Sequence, residues 1–269
     1  MFRRLVLLAS LSGCGLFPDL SLLSGEDAGG SDAMSDATSD VSTFDVTSDA
    51  PPSDAGLDVK KSPCSQPHTF CDDFDDGSLG ATWDKSDNTG GGILSQSTNA
   101  VSPPYAFQAQ VPGGGGHPDA ILQKYLAAAQ HVHYECDIVI MGSQSTNMEI
   151  DYFDFAFQPA GYSYGNFNLE QLNPGATLEE ISRPTGADAS AYNDDNFNLV
   201  LSSWKHVVVD IDFAKSTFTL AVDGVTIDAM SMKPVLASSV STLGVGVTYS
   251  GGLTAPWTVL IDNVVVDLQ

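Results

Sequence analysis

The chain has 269 residues, with 34 Asp and Glu against 10 Lys and Arg, a formal net charge of -24 and 42% hydrophobic residues. That length and apolar content suffice for one large all-β domain or two ordinary ones. The acidity excludes nucleic acid, whose phosphates need Lys and Arg to displace counterions, and it disfavours anionic membrane surfaces; the 4 cysteines are too few for a disulfide-rich scaffold and none has CxxC or Cys/His zinc spacing.

At the N-terminus, Arg3 and Arg4 precede an apolar run, Leu5 to Leu11, that is too short to span a bilayer. Leu11-Ser12-Gly13-Cys14 follows and resembles the bacterial lipobox. The resemblance implies a signal peptide over residues 1–13, cleavage before Cys14, and acylation of Cys14, which makes the lipid bilayer a partner. Two or three acyl chains at about 0.8 kcal/mol per buried methylene hold a protein on a membrane durably. Gly15 stands where an Asp would retain a lipoprotein at the inner membrane, so the outer membrane is expected, with the folded part facing the periplasm or the cell exterior. Residues 14–61 read as the lipidated Cys and an acidic linker: Ser-Asp-Ala and its variants recur at Ser31, Ser35, Ser39, Ser48 and Ser53, and 10 acids face only Lys60 and Lys61. Such a segment repels itself and buries too little to offset ordering entropy, so a disordered, extended tether is expected.

From Ser62 to the end, at 269, the period is two. In 131–141, Val132, Tyr134, Cys136, Ile138 and Ile140 share one face, and His131, His133, Glu135 and Asp137 the other, the alternation of a half-buried strand. Segments 105–111, 119–125, 147–158, 162–172, 197–201, 204–213, 217–223, 241–249 and 257–267 read the same way, with Gly and Pro clusters between them. Only 120–129 offers a short helical alternative. The pattern predicts a two-sheet antiparallel sandwich in one domain over 62–269.

Phe70-Cys71-Asp72-Asp73-Phe74-Asp75 with Trp83 resembles the opening of concanavalin A-like lectin/glucanase jelly rolls. Trp204 to Val208, then Leu220 to Gly224, resembles the laminin G-like core hairpin, and Ile261 to Val266 its closing strand. The resemblance implies a jelly-roll sandwich used by lectins, glycosidases and adhesion modules alike, so the fold alone does not set function. It also implies a structural calcium near the meeting of first and last strands, with Asp72, Asp73 and Asp262 as hard oxygen ligands.

Glu149-Ile150-Asp151-Tyr152-Phe153-Asp154 resembles the Glu-Ile-Asp-x-x-Glu signature of family 16 glycoside hydrolases. The resemblance implies Glu149 as nucleophile, Asp151 as its tuner and Asp154, one methylene short, as acid/base. A regular strand would turn Asp154 to the face opposite Glu149, so the pair can cooperate only if a bulge intervenes. The other expectation is a module that binds a glycan, or an extracellular protein, without catalysis. Tyr162, Tyr164, Asn166, Phe167 and Asn168, with Tyr192, Asn193 and Trp257, supply the rings and amides that stack on sugars and read hydroxyls. Pro112 to Gly116 reads as a flexible surface loop, and His131, His133 and Glu135 as a wet strand face rather than a zinc site. Of the remaining cysteines, a Cys64–Cys71 disulfide is expected first, with Pro63 and Pro67 stiffening the stretch, and Cys71–Cys136 is the alternative. A monomer is expected.

Overall fold

The computed structural model describes residues 62–142, 148–157, 162–172, 176–186, 191–197, 201–231 and 240–269. The segments expected to be a signal peptide and an acidic linker, with Cys14, lie outside them, and all the described residues belong to the unit Asp54–Gln269. Fifteen strands are described: β1 (Phe70–Asp72), β2 (Lys85–Thr89), β3 (Ile93–Ser97), β4 (Ala106–Val111), β5 (Asp119–Tyr125), β6 (His131–Gly142), β7 (Glu149–Phe157), β8 (Tyr162–Leu172), β9 (Ala176–Pro184), β10 (Ala191–Phe197), β11 (Lys205–Asp212), β12 (Thr217–Val222), β13 (Val225–Ser231), β14 (Val240–Gly251) and β15 (Trp257–Leu268). No α-helix occurs among the described residues.

The strands form two antiparallel sheets packed as a sandwich. One has eight strands in the order β13-β12-β11-β6-β15-β4-β3, with β1 added on β15. Here β4 pairs with Trp257 to Ile261 and β1 with Val264 to Val266, so the two short strands share one edge of β15. The other sheet has seven strands, β10-β9-β8-β7-β14-β5-β2. The core lies between them. Tyr134 of β6 meets Phe153 and Phe155 of β7 at ring-centroid distances of 5.4 and 5.2 Å, and Phe167 of β8 meets Phe218 of β12 at 4.7 Å. Such ring pairs add about 0.5–1.5 kcal/mol each beyond the area they bury.

The segment 120–129 is no helix: β5 runs to Tyr125, its buried Ala120, Ile121 and Leu122 shielded by the sheet. Of the segment 197–201, Phe197 ends β10 and residues 198–200 lie outside those described. The predicted hairpin is present, with Val208 opposite Ala221, and the following Asp223 and Gly224 take φ 50° and 78°. Two positive φ values make the tight turn that joins Val222 to its partner Val225, and Gly adopts one without strain. Asp223 closes the same corner by accepting from Lys205 Nζ at 2.6 Å and from the His206 amide at 3.0 Å.

Cys64 is joined to Cys71, tying the domain's entry to β1, and Cys136 is a buried free thiol whose pKa burial pushes up to about 12. Trp83 stacks beside Phe74 and donates through Nε1 to Asp72 at 2.7 Å.

Candidate functional site

The outer face of the seven-stranded sheet is built around an irregularity in β7. Asp151 pairs with Glu170 of β8 and Asp154 with Asn168, so three steps along β7 match two along β8. This is a β-bulge, and it inverts the alternation beyond it. Ile150 and Tyr152 point into the core, then Phe153 and Phe155, while Glu149, Asp151 and Asp154 all emerge on the outer face. The three carboxylates of the Glu-Ile-Asp-x-x-Asp segment are therefore brought together by the geometry that a regular strand would forbid.

They line a groove of about 530 Å³ together with Asn166 of β8, Glu179 of β9 and Tyr249 of β14. Neighbouring strands place these side chains by register: Ala156 opposite Asn166, Asn168 opposite Glu179, Asp154 opposite Gly244. Asn168 is buried and donates through Nδ2 to Glu179 at 2.9 Å, which fixes the amide. At Gly165 a Cβ would lie 2.1 Å from the Phe157 ring, so only glycine lets that ring close the end of the groove.

The electrostatics are one-sided. Burial pushes Asp154 up to about 7, with Asn166 opposing through a hydrogen bond and Glu179 adding repulsion. Asp151 is held well above the usual carboxylate range by burial, then by Glu170 and Glu179, against a hydrogen bond from Asn168. Glu149, at the exposed mouth, is raised by partial burial and lowered by the charge of His117. At neutral pH a carboxyl of this kind can hold a proton and hand it on, or bind a cation.

His117, just past the glycine run that reads as a flexible loop, stacks on Tyr249 at 5.1 Å and bonds through Nδ1 to the Ser250 carbonyl at 3.0 Å. That loop is pinned at its start, where Gly113 lies against the backbone of Ala255 and Gly114 donates to the Leu253 carbonyl. His117, Glu179 and Tyr249 were not recognisable in the sequence, because they reach the groove from strands and loops far away in the chain.

Other predicted site residues fall elsewhere. Phe167 (0% exposed) and Trp257 (2%) are core residues, not ligand platforms, because each lies on the inward side of its strand. Asn166 and Asn168 are on the groove face. The side chains of Tyr162, Tyr164, Tyr192 and Asn193 lie outside those described, though the backbone of Tyr192 pairs with Ile181.

The residues expected to hold calcium do not fit a cation. Asp262 accepts from the amides of Val101 (2.8 Å), Ser102 (2.9 Å) and Asn263 (2.8 Å). Asp72 accepts from the Phe74 amide, Thr82 and Trp83. Asp73 is held by Ser62 and by the Asp75 amide. Inward-pointing N–H and O–H donors repel a cation, and these carboxylates pin loops to strands instead. Among the described residues no group of three or more His, Cys, Asp or Glu is arranged to hold a metal.

No protein-family model matches this sequence, and no curated protein is significantly similar to it. Among solved structures the chain is similar to the cellulose-induced protein Cip1, with a TM-score of 0.52, 14% identity, and coverage of 73% of this chain and 96% of that one. It is also similar to a carbohydrate esterase of the Shiga toxin-encoding bacteriophage phi24B, with a TM-score of 0.50, 13% identity, and coverage of 76% and 99%. At these identities the likeness concerns the fold, a β-sandwich.

Proposed function

We propose that the sandwich is a carbohydrate-binding module whose site is the groove on the outer face of the seven-stranded sheet. The observation that carries this reading is the bulge in β7, which lines one groove with Glu149, Asp151 and Asp154, beside the amide of Asn166 and the ring of Tyr249. Acids and amides read sugar hydroxyls and a ring stacks on a sugar face, the mix of apolar walls and few convergent polar groups that small-ligand sites use. The names of the two structural neighbours, one cellulose-induced and one a carbohydrate esterase, are in keeping with a glycan partner. An extracellular protein is the other partner class. Acylated Cys14 and the acidic tether would hold the module away from an outer membrane. A glycan array probed with the full chain tests the reading: a defined set of bound glycans, lost on competition with the free sugar, is the expected result.

One observation favours a second reading, retaining glycoside hydrolysis. Asp154, pushed up to about 7, is protonated in about half of the molecules at neutral pH, within the range a general acid needs, and it shares its face with Glu149, the corresponding nucleophile. Release of reducing ends from β-glucans by the wild-type chain, abolished in both Glu149→Gln and Asp154→Asn, would make the module an enzyme. Binding without release leaves it a lectin-like module.

A further inference from the structure

The groove gathers more negative charge than a neutral sugar requires. Glu149, Asp151, Asp154 and Glu179 line it, Glu170 stands opposite Asp151, and no Lys or Arg among the described residues lines it. The sequence from Met148 to Ser182 contains no Lys, Arg or His at all. His117 stands at the Glu149 end, and Arg183 follows two residues beyond Ile181 on β9.

A second observation is independent of the charge count. Asp151 is 8% exposed, yet its Oδ1 has no hydrogen-bond partner among the protein atoms, and the same holds for Asp154 Oδ1, Asn166 Oδ1 and Thr248 Oγ1. All four residues line the groove. Buried acceptors without donors are costly and native folds rarely keep them without a use. Three of these atoms are carboxyl or amide oxygens, and they face the same space as the other acids of the groove.

We propose that the groove selects saccharides carrying a free amine, such as glucosamine oligomers, over neutral and anionic ones. This rests on the reading of the groove as a carbohydrate site. A protonated amine brings three N–H donors and one positive charge to acceptors that lack both. An N-acetyl group brings one donor and no charge, and a hydroxyl likewise. A uronate or sialate would add a negative charge to a groove that already repels itself. The ring of Tyr249, held by its stack on His117, offers the flat surface that a pyranose needs and a flexible lysine chain does not.

The test is calorimetric titration of the full chain, just below neutral pH, with hexaglucosamine, hexa-N-acetylglucosamine, cellohexaose and hexalysine. Hexaglucosamine should bind about tenfold or more tighter than either other sugar, the worth of one charge-assisted hydrogen bond. Asp154→Asn should remove most of that preference while melting no lower than wild type; Glu149→Gln, at the exposed mouth, provides the same comparison should Asp154→Asn fail to fold. Cellohexaose binding as tightly as hexaglucosamine overturns amine selection and leaves the carbohydrate site standing. Binding of none of the sugars overturns both. Hexalysine binding as tightly as hexaglucosamine, or a preference untouched by both variants, also overturns the proposal.

Discussion

Asp151 and Asp154 are three positions apart in the chain, yet both face the same side of the sheet, because β7 carries one more residue between them than its partner β8. Each feels the charge of Glu179, and among the described residues no Lys or Arg lines the groove to offset their burial. Their carboxyl groups are a local weakness in the fold and the centre of the proposed site.

That weakness has a measurable sign. Asp154 titrates at about 7 when folded against 3.8 in its ordinary state, so the folded chain binds more protons across that interval. Its contribution to stability is therefore present at low pH and is lost as pH rises through about 7. Asp154→Asn should raise the melting temperature above neutrality, by roughly 2–4 °C for each kcal/mol of repulsion removed. The gain should fade towards acid pH. Melting curves of both proteins across that range check it, and a variant less stable at every pH would contradict it.

The opposite face of the molecule carries a ladder in which His133 bonds to Asp210 at 2.8 Å and to Glu135 at 2.7 Å, with His206 reaching Asp137 at 3.1 Å. Burial disfavours the charged ring of His133, but the two carboxylates outweigh it and raise its pKa above 6.5. Its stabilisation is complete below that value and disappears as pH rises through the folded pKa. An NMR titration should find the His133 ring titrating above 6.5. His133→Gln should remove this part of the pH dependence while leaving the part due to Asp154.

Much of the sandwich is legible in the sequence. Alternation in β11, β12 and the first half of β6 exposes the period directly. Two strands that were not anticipated lack it. In β9, Glu180 and Ser182 point inwards while Ile181 faces out, and β2 is an entirely polar edge strand, Lys-Ser-Asp-Asn-Thr. The acidic segment of the site was legible as a motif but not as a geometry. Whether Asp154 joins Glu149 turns on a single bulged residue, and nothing in the sequence around Tyr152 and Phe153 announces it. Phe167 and Trp257 were misplaced for a related reason: an aromatic, for Phe167 one flanked by Asn166 and Asn168, looks like a sugar platform until strand parity puts it inside.

Phe167 packs on Phe157 and Phe218 at 4.9 and 4.7 Å and so belongs to stability rather than to recognition. Phe167→Ala should cost about 3–5 kcal/mol in denaturant unfolding. Any loss of binding should follow the unfolded fraction and vanish when the chain is kept folded.

Asp262 holds the 101–102 segment against the bulge of β15, where Asn263 takes φ 54° and donates through Nδ2 to Asp137 at 2.8 Å. Asp262→Ala leaves buried amide donors without an acceptor and should cost about 2–3 kcal/mol. Hydrogen exchange should speed up first at Val101 and Ser102. Unchanged exchange there would mean that the carboxylate does not hold the loop.

Reducing the Cys64–Cys71 bond frees an eight-residue loop, counting both cysteines. Chain entropy sets the loss at about 2.5 kcal/mol. Cys136, buried with its pKa pushed up to about 12, should stay unlabelled by thiol reagents until the domain unfolds, as peptide mapping would show.

The most direct test of the central claim is to fill the groove. Ala156 lies on its floor, on the same face as Asp154. Ala156→Trp should abolish glycan binding by the full chain while its melting temperature stays within a few degrees of wild type. Undiminished glycan binding by this folded variant would place the site elsewhere on the sandwich.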